Sequence, residues 1–161
     1  MLIERFRTWY EHEKAANELM LDMVESVPSA QHSDPKFQRA IDLVAHLAVC
    51  RENWLDRLIN HGANQKEWFP VSEKWGPMRK RYADIERAWT LYLGEEATDD
   101  SIAKEFKFIR SDHSEYSLLV ETLLTQMVGH AFYHRGQIVM LVAELGGDTV
   151  DTDYLFWSES R

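Results

Sequence analysis

The stretch that decides the interpretation of this chain is Gly129-His130-Ala131-Phe132-Tyr133-His134-Arg135-Gly136-Gln137-Ile138. Its two histidines are four residues apart, within a longer run of residues that favour a helix. On a helix, positions i and i+4 lie on the same face, so both imidazoles can bind one metal ion. The glutamate of a metalloprotease helix does not follow His130, so that type of site is absent. From these residues alone, the pair is either a metal site or two hydrogen-bonded histidines of a core.

Four long segments show apolar residues at the three- and four-residue spacing that is typical of amphipathic helices. We expect helices over residues 2–27, 36–60, 78–93 and 119–145. Pro28, Asp34-Pro35, Gly62, Gly94 and Gly146-Gly147 supply stop and start signals. The pattern therefore predicts an all-α fold, a four-helix bundle.

Three shorter segments do not follow the helical pattern. Within residues 106–120, apolar residues occur at every second position before and after the turn-like segment Ser111-Asp112-His113-Ser114. This pattern predicts a short β-hairpin before the last helix. Residues 61–77 combine glycine and proline with Trp68, Phe69 and Trp75, so we expect a packed connector between helices. The tail contains Tyr154, Leu155, Phe156 and Trp157, which we expect to pack back or to meet a partner.

Length, charge and cysteine content restrict the class of protein. The chain has 161 residues, one cysteine and a formal net charge of −9. This length is typical of one domain, and we expect a single domain over residues 1–161. The acidic charge argues against nucleic acid and against an anionic membrane surface as partners. A lone cysteine and the lack of an evident secretory or membrane-spanning segment favour a cytoplasmic protein.

A third histidine occupies the inner stripe of the second predicted helix. His46 lies between Leu43 and Cys50, in register with the apolar residues of that helix. A buried imidazole without a partner costs on the order of 1–3 kcal/mol, so such a residue needs a hydrogen bond or a cation. Three imidazoles on two facing helices would leave one coordination position of a metal open, as in catalytic zinc sites. For His46 alone, a hydrogen-bonded core residue is the simpler interpretation.

Both histidine segments resemble the DinB-like (damage-inducible) family. The stretch His130 to Ile138 is similar to the family's signature, and Leu43 to Trp54 is similar to its second-helix ligand segment. The closing Asp153-Tyr154-Leu155 is similar to the family's C-terminal ending. The resemblance implies an up-down-down-up four-helix bundle that forms a homodimer. It also implies a divalent metal site whose three ligands are His46, His130 and His134.

The resemblance is less specific about chemistry. Relatives include thiol-dependent transferases and isomerases that use small cytoplasmic thiols, and many members have no assigned activity. It implies a metal-dependent enzyme that performs thiol transfer or hydrolysis on a small-molecule or thiol substrate. The alternative is a non-catalytic, metal-stabilised bundle that acts through protein–protein contacts. Imidazole suits zinc, nickel, iron and copper, of which we expect zinc or nickel first. The sequence identifies no catalytic residue.

Four other polar residues have two interpretations each. Glu13 and Asn17 share a face of the first helix and either support the metal site or lie at the edge of the core. Cys50 is either an additional ligand or a small buried apolar residue, and the second is favoured. Arg135 either binds an anionic substrate or forms a structural ion pair or hydrogen bond, and the second is again favoured. We assign no role to the histidines in contexts that look exposed: His12, His32, His61 and His113.

Overall fold

Four long helices form the body of the computed structural model, which describes residues 1–110 and 112–161. They are α1 (Leu2–Glu25), α2 (Pro35–Asn60), α3 (Met78–Leu91) and α5 (Val120–Glu144). The shorter elements are a 3₁₀ turn (Ser29–Gln31), a π turn (Tyr92–Glu96), α4 (Asp99–Ile102), β1 (Glu105–Ile109), β2 (Glu115–Leu119) and α6 (Tyr154–Glu159). Ser111, in the predicted hairpin turn, lies outside the described residues. The predicted helical bundle with a hairpin before its last long helix is confirmed.

Contacts between helix ends give the direction of each long helix. A short connection joins the end of α1 to the start of α2, so these two helices are antiparallel. Arg79 at the start of α3 forms an ion pair of 2.7 Å with Glu25 at the end of α1. Lys36 at the start of α2 forms one of 2.8 Å with Glu144 at the end of α5. The arrangement is therefore up-down-down-up, with α2 antiparallel to α5.

The core lies between the four long helices. α2 packs against α3 and α5, and α1 packs against the same two helices. Met20, Val44, Trp89 and Ile138 are fully buried, one from each long helix. Burial of each such side chain contributes on the order of 1.5–3 kcal/mol, so the apolar stripes hold the helices in fixed register.

The observed ends of α2 and α3 agree in part with the start and stop residues predicted from the sequence. Asp34 accepts a hydrogen bond from the Lys36 amide at 2.8 Å, and Pro35 is the first helical residue, as predicted. His61 and Gly62 adopt positive φ values of 55° and 84°, which ends α2. Gly94 does not end the third helix, because the chain continues as the π turn to Glu96.

The connector between α2 and α3 is held against α2 by amide and carboxylate side chains. Asn53, which is fully buried, accepts from the Lys66 amide at 2.8 Å and donates to the Lys66 carbonyl at 2.9 Å. Asp56 accepts from the Asn64 amide and the Gln65 side chain, at 2.9 and 3.0 Å. These side chains satisfy backbone N–H and C=O groups of the connector, which lie outside any helix or strand. The expected packed connector is confirmed.

The hairpin and the tail complete the fold. β1 and β2 are antiparallel, with Glu105 paired to Leu119 and Ile109 paired to Glu115. α6 packs on α1. None of the helices in the described ranges is both long and apolar enough to cross a membrane.

Burial of His12 differs from the prediction. Its side chain is 3% exposed, and Nε2 lies 2.8 Å from the Thr152 carbonyl oxygen. The rings of Tyr154 and Trp157 contact its edge, each at 5.4 Å between centroids. The expectation of an exposed context was wrong because the tail, distant in sequence, folds back over α1. His32, His61 and His113 are exposed, as expected.

Candidate metal centre

Three histidines from two helices come together at the α2–α5 seam. His46 lies on α2, and His130 and His134 lie one turn apart on α5. One nitrogen from each ring lies within 4.8 Å of the other two. His46 is buried, whereas His130 and His134 are half-buried and face a cleft. The antiparallel packing of α2 and α5 therefore brings together all three residues that the sequence predicted.

The backbone of the connector determines the tautomer of His46. Its Nδ1 lies 2.6 Å from the carbonyl oxygen of Trp68. A carbonyl oxygen only accepts, so Nδ1 carries the proton and Nε2 has a free lone pair. That lone pair faces Nε2 of His130 at 3.3 Å. Two imidazole ligands of a tetrahedral ion with bonds of about 2.0–2.1 Å are separated by about 3.3 Å, so this pair fits a bound cation.

A side chain of α5 orients the third histidine in the same way. Nδ1 of His134 lies 3.1 Å from Oε1 of Gln137. An amide oxygen only accepts, so Nδ1 is the donor and Nε2 is available to a metal. Metal-binding histidines commonly donate their second N–H to a carbonyl or carboxylate, which holds the ring and increases its basicity. His46 and His134 both have such a partner.

Electrostatics favour the neutral form of the α5 histidines. Burial, and then the charges of His134, Arg51 and His46, together lower the pKa of His130 to about 4. Burial also lowers the pKa of His134, although the bond to Gln137 opposes this. A metal ligand must present a lone pair, so neutral imidazoles suit the role. The donor set fits zinc, nickel, iron or copper.

The cleft above the histidines has a volume of about 290 Å³. Its walls are mainly apolar, and Trp54, Trp68, Phe69 and Met127 contribute to them. The Phe69 ring stacks on His46, with 4.8 Å between centroids and 10° between planes, although 72% of Phe69 is exposed. An apolar wall limits the water that reaches the histidines while the cleft admits a ligand. The sequence indicated a packed aromatic connector but not that it covers this site.

Cys50 lies beside the site. Its Sγ is 3.6 Å from Nε2 of His46, and the side chain is 4% exposed. Burial raises the pKa of the thiol to about 11, so it is protonated at neutral pH. Among the described residues, the side chains whose ligand atoms converge are the three histidines, and Cys50 is not one of them. The interpretation as a small buried residue therefore suits Cys50 better.

The environment of Glu13 differs from the predicted edge of the core. It is 6% exposed and accepts a hydrogen bond from Nε of Arg51 at 2.5 Å. Arg51 is 3% exposed and also donates to the Met127 carbonyl at 2.9 Å. Glu13 is thus part of a buried ion pair and not at the edge of the core. Sequence reasoning missed Arg51, although its position between Leu47 and Trp54 on the apolar stripe of α2 was a signal.

Asn17 and Arg135 form a second buried contact. Asn17 is 6% exposed, and its Oδ1 accepts from Nη1 of Arg135 at 3.4 Å. Arg135 is 2% exposed, and its guanidinium also lies over the ring of Phe132. Substrate has no access to such a side chain. The structural interpretation of Arg135 is confirmed, and the expectation that Asn17 lies at the edge of the core was wrong.

One of three comparisons with known proteins gives a match. A family model described as the DinB family matches residues 1–161. No curated protein and no solved structure matches the chain significantly.

Proposed function

The chain belongs to the DinB family, and from this premise we propose that it is a divalent-metal-dependent enzyme. His46, His130 and His134 are the ligands in this proposal. The observation that carries it is the approach of one nitrogen from each ring to within 4.8 Å of the others. The bonds from His46 to Trp68 and from His134 to Gln137 support it, because both leave Nε2 free.

The reaction that we propose is thiol transfer or hydrolysis. A metal with three neutral protein ligands has an open position and lowers the pKa of a bound water or thiol. The chain itself contributes orientation and a dry site. The Trp68 carbonyl holds the His46 ring, and Trp54, Phe69 and Met127 exclude water from the cleft. We propose zinc or nickel as the metal, with iron and copper as alternatives.

Metal content tests the ligand set. The protein is purified without a histidine tag, and its metals are measured by mass spectrometry. We expect about one ion per chain in the wild type and almost none after His46→Ala, His130→Ala or His134→Ala. His32→Ala, which removes an exposed histidine elsewhere, is the matched control. Equal metal content in the wild type and the three site variants, all folded by circular dichroism, would contradict the site.

A second candidate is a bundle in which the metal only stabilises the fold and function lies in protein–protein contacts. The cleft above the histidines favours the enzyme, because a purely structural ion needs no access. Cobalt-substituted protein separates the two candidates. In the enzyme, added thiol changes the visible cobalt spectrum because it enters the open position. A four-protein-ligand spectrum that no added ligand changes would support the structural role.

We also propose that the protein is a cytoplasmic homodimer. The exposed face of α5 supports the dimer, because Tyr133 and Met140 are 66% and 64% exposed there. Tyr133 is four residues after Gly129 on this helix, and Met140 is four residues after Gly136. A Cβ added at either glycine would meet nothing within 4 Å in the described part of the chain. A second helix has room to approach this surface closely. The single cysteine supports the proposed cytoplasmic location, because disulfides are rare in a reducing compartment.

A further inference from the structure

A second cavity adjoins the histidine cleft. It has a volume of about 600 Å³ and lies between α2, the hairpin and the start of α5. Trp54, Trp68 and Gln126 line both cavities. Because they share these walls, the two cavities lie side by side along the α2–α5 seam, and we call them together the seam groove. The histidines lie at one end of it and the hairpin at the other.

Arg57 is a buried cation in the wall of the seam groove. It is 5% exposed, and its guanidinium carbon lies 4.7 Å from the Trp54 and Trp68 rings and 4.4 Å from the Phe108 ring. Its Nε is buried and has no hydrogen-bond partner among the described residues. Within that part of the chain, no carboxylate forms a salt bridge with Arg57. Buried charges in proteins are normally paired directly, so this guanidinium can still accept an anion at its Nε.

A second arginine strengthens the positive charge of the same cavity. Arg110 lies over the Tyr116 ring at 3.7 Å and lines the cavity with Arg57. Asp112 also lines it, but its carboxylate accepts bonds from the amide and hydroxyl of Ser114, at 3.0 and 2.6 Å. Burial, and then the charge of Arg110, lower the pKa of Arg57, and the charge of Asp56 only partly opposes them. Arg57 and Arg110 therefore repel each other. A bound anion would relieve this repulsion.

We propose that the seam groove binds an elongated organic carboxylate as the substrate class of this protein. The carboxylate lies against Arg57 and Arg110, and a flat apolar body lies along the outer surface of the Trp54–Trp68 pair, toward the histidines. The planar guanidinium matches a carboxylate in geometry, and aromatic walls match a flat body. The role as substrate rests on the proposed function, whereas the anion site itself does not.

The separation of the two ends of the groove sets the size of the ligand. His46 and Arg57 are eleven positions apart on α2. At about 1.5 Å of rise per residue, their Cα atoms are about 16 Å apart along the helix axis. The arginine side chain shortens this span, because helical side chains incline toward the N-terminus. The ligand is therefore longer than a single amino acid.

A matched pair of probes tests the anion site. Naphthalene-2-carboxylate and neutral 2-naphthylmethanol share the aromatic body and differ in charge. Their affinities are measured by titration calorimetry on metal-free and on metal-loaded protein. We expect the carboxylate to bind about tenfold more tightly, since a charge-assisted hydrogen bond contributes that much.

Two substitutions and a control test which residues bind the carboxylate. Arg57→Met keeps the volume without the charge, and Arg110→Gln changes an exposed residue, so we expect the second variant to fold. Both should remove most of the preference for the carboxylate. Arg87→Gln removes the same charge from a side chain that is 80% exposed on α3, and it should keep the preference. Equal binding of the two probes to the wild type, or equal effects of Arg110→Gln and Arg87→Gln, would overturn the proposal.

Metal-free protein separates this proposal from the proposed function. A chain that prefers the carboxylate but binds no metal contradicts the metal-dependent enzyme alone. A chain that binds metal but shows no preference contradicts the anion site alone.

Discussion

The N–H of His46 donates a hydrogen bond of 2.6 Å to the carbonyl oxygen of Trp68, 22 residues further along the chain. This bond places the lone pair of His46 opposite His130 and links the geometry of the candidate metal centre to the connector between α2 and α3. The connector contributes a hydrogen-bond acceptor and an aromatic cover to the site. Its attachment to α2 therefore controls how well the site is preorganised.

Asn53→Ala should weaken metal binding without removing a ligand. The variant loses both hydrogen bonds to Lys66 that hold the connector on α2. His46 then loses its fixed orientation, and we expect metal affinity to fall by about 10–100-fold, as for other partners of metal-binding histidines. Competition with a chromogenic chelator measures this affinity. Asn60→Ala, which removes only a side-chain bond to Asp56, is the control, and an equal loss in both variants would contradict the role of the connector.

Glu13→Gln should destabilise the fold strongly and leave the metal content unchanged. The substitution leaves the buried Arg51 cation without its carboxylate partner. Removal of one partner of a buried ion pair costs about 3–5 kcal/mol. Urea denaturation at pH 7 measures the loss. The double variant Glu13→Gln/Arg51→Met should recover part of it, because no buried charge remains. Full stability with loss of activity would instead indicate that Glu13 acts in the reaction.

Glu86 should make the protein less stable as the pH rises. Burial, and then the nearby charges of Glu18 and Glu13, raise the pKa of Glu86 from 4.5 to about 7. The protonated form is favoured in the folded state, so the stabilisation is fully present below pH 4.5 and is lost as the pH rises through about 7. Glu86→Gln should flatten this part of the profile and be more stable than the wild type at pH 8.

Urea denaturation midpoints from pH 5 to 8 measure the effect of Glu86. Glu95→Gln changes an exposed glutamate and should leave the profile unchanged. If the wild type and Glu86→Gln have the same midpoints from pH 5 to 8, ionisation of the Glu86 carboxylate does not destabilise the fold, and the prediction is wrong.

Tyr133→Glu should convert the proposed homodimer to a monomer. A charge placed in an apolar interface is left without water and without a partner, which costs several kcal/mol. Analytical ultracentrifugation measures the molecular mass. Leu91→Glu changes an apolar side chain of α3 that is 52% exposed and should leave the mass unchanged. A wild type that sediments as a monomer at all concentrations would contradict the dimer.

Much of the fold was predictable because each long helix has a regular apolar stripe. The spacing of four residues between His130 and His134 placed both on one face, whatever the surroundings of α5. Residues whose environment depends on distant segments were not predictable. His12 is buried by the tail, and Glu13 is buried by its pairing with Arg51 on another helix. A helical pattern shows which face a residue occupies, but not what covers that face.

The sequence by itself predicted the helices, the hairpin and the His130–His134 pair, because these depend on local periodicity. The family resemblance, which is also contained in the sequence, added His46 to the pair. Only the tertiary structure decided which ring nitrogen of His46 is free and that the Arg57 guanidinium lies among aromatic rings. Both depend on side chains and carbonyls that approach from other segments. Hydrogen bonding and burial act through space, and the packing of the helices determines which groups meet.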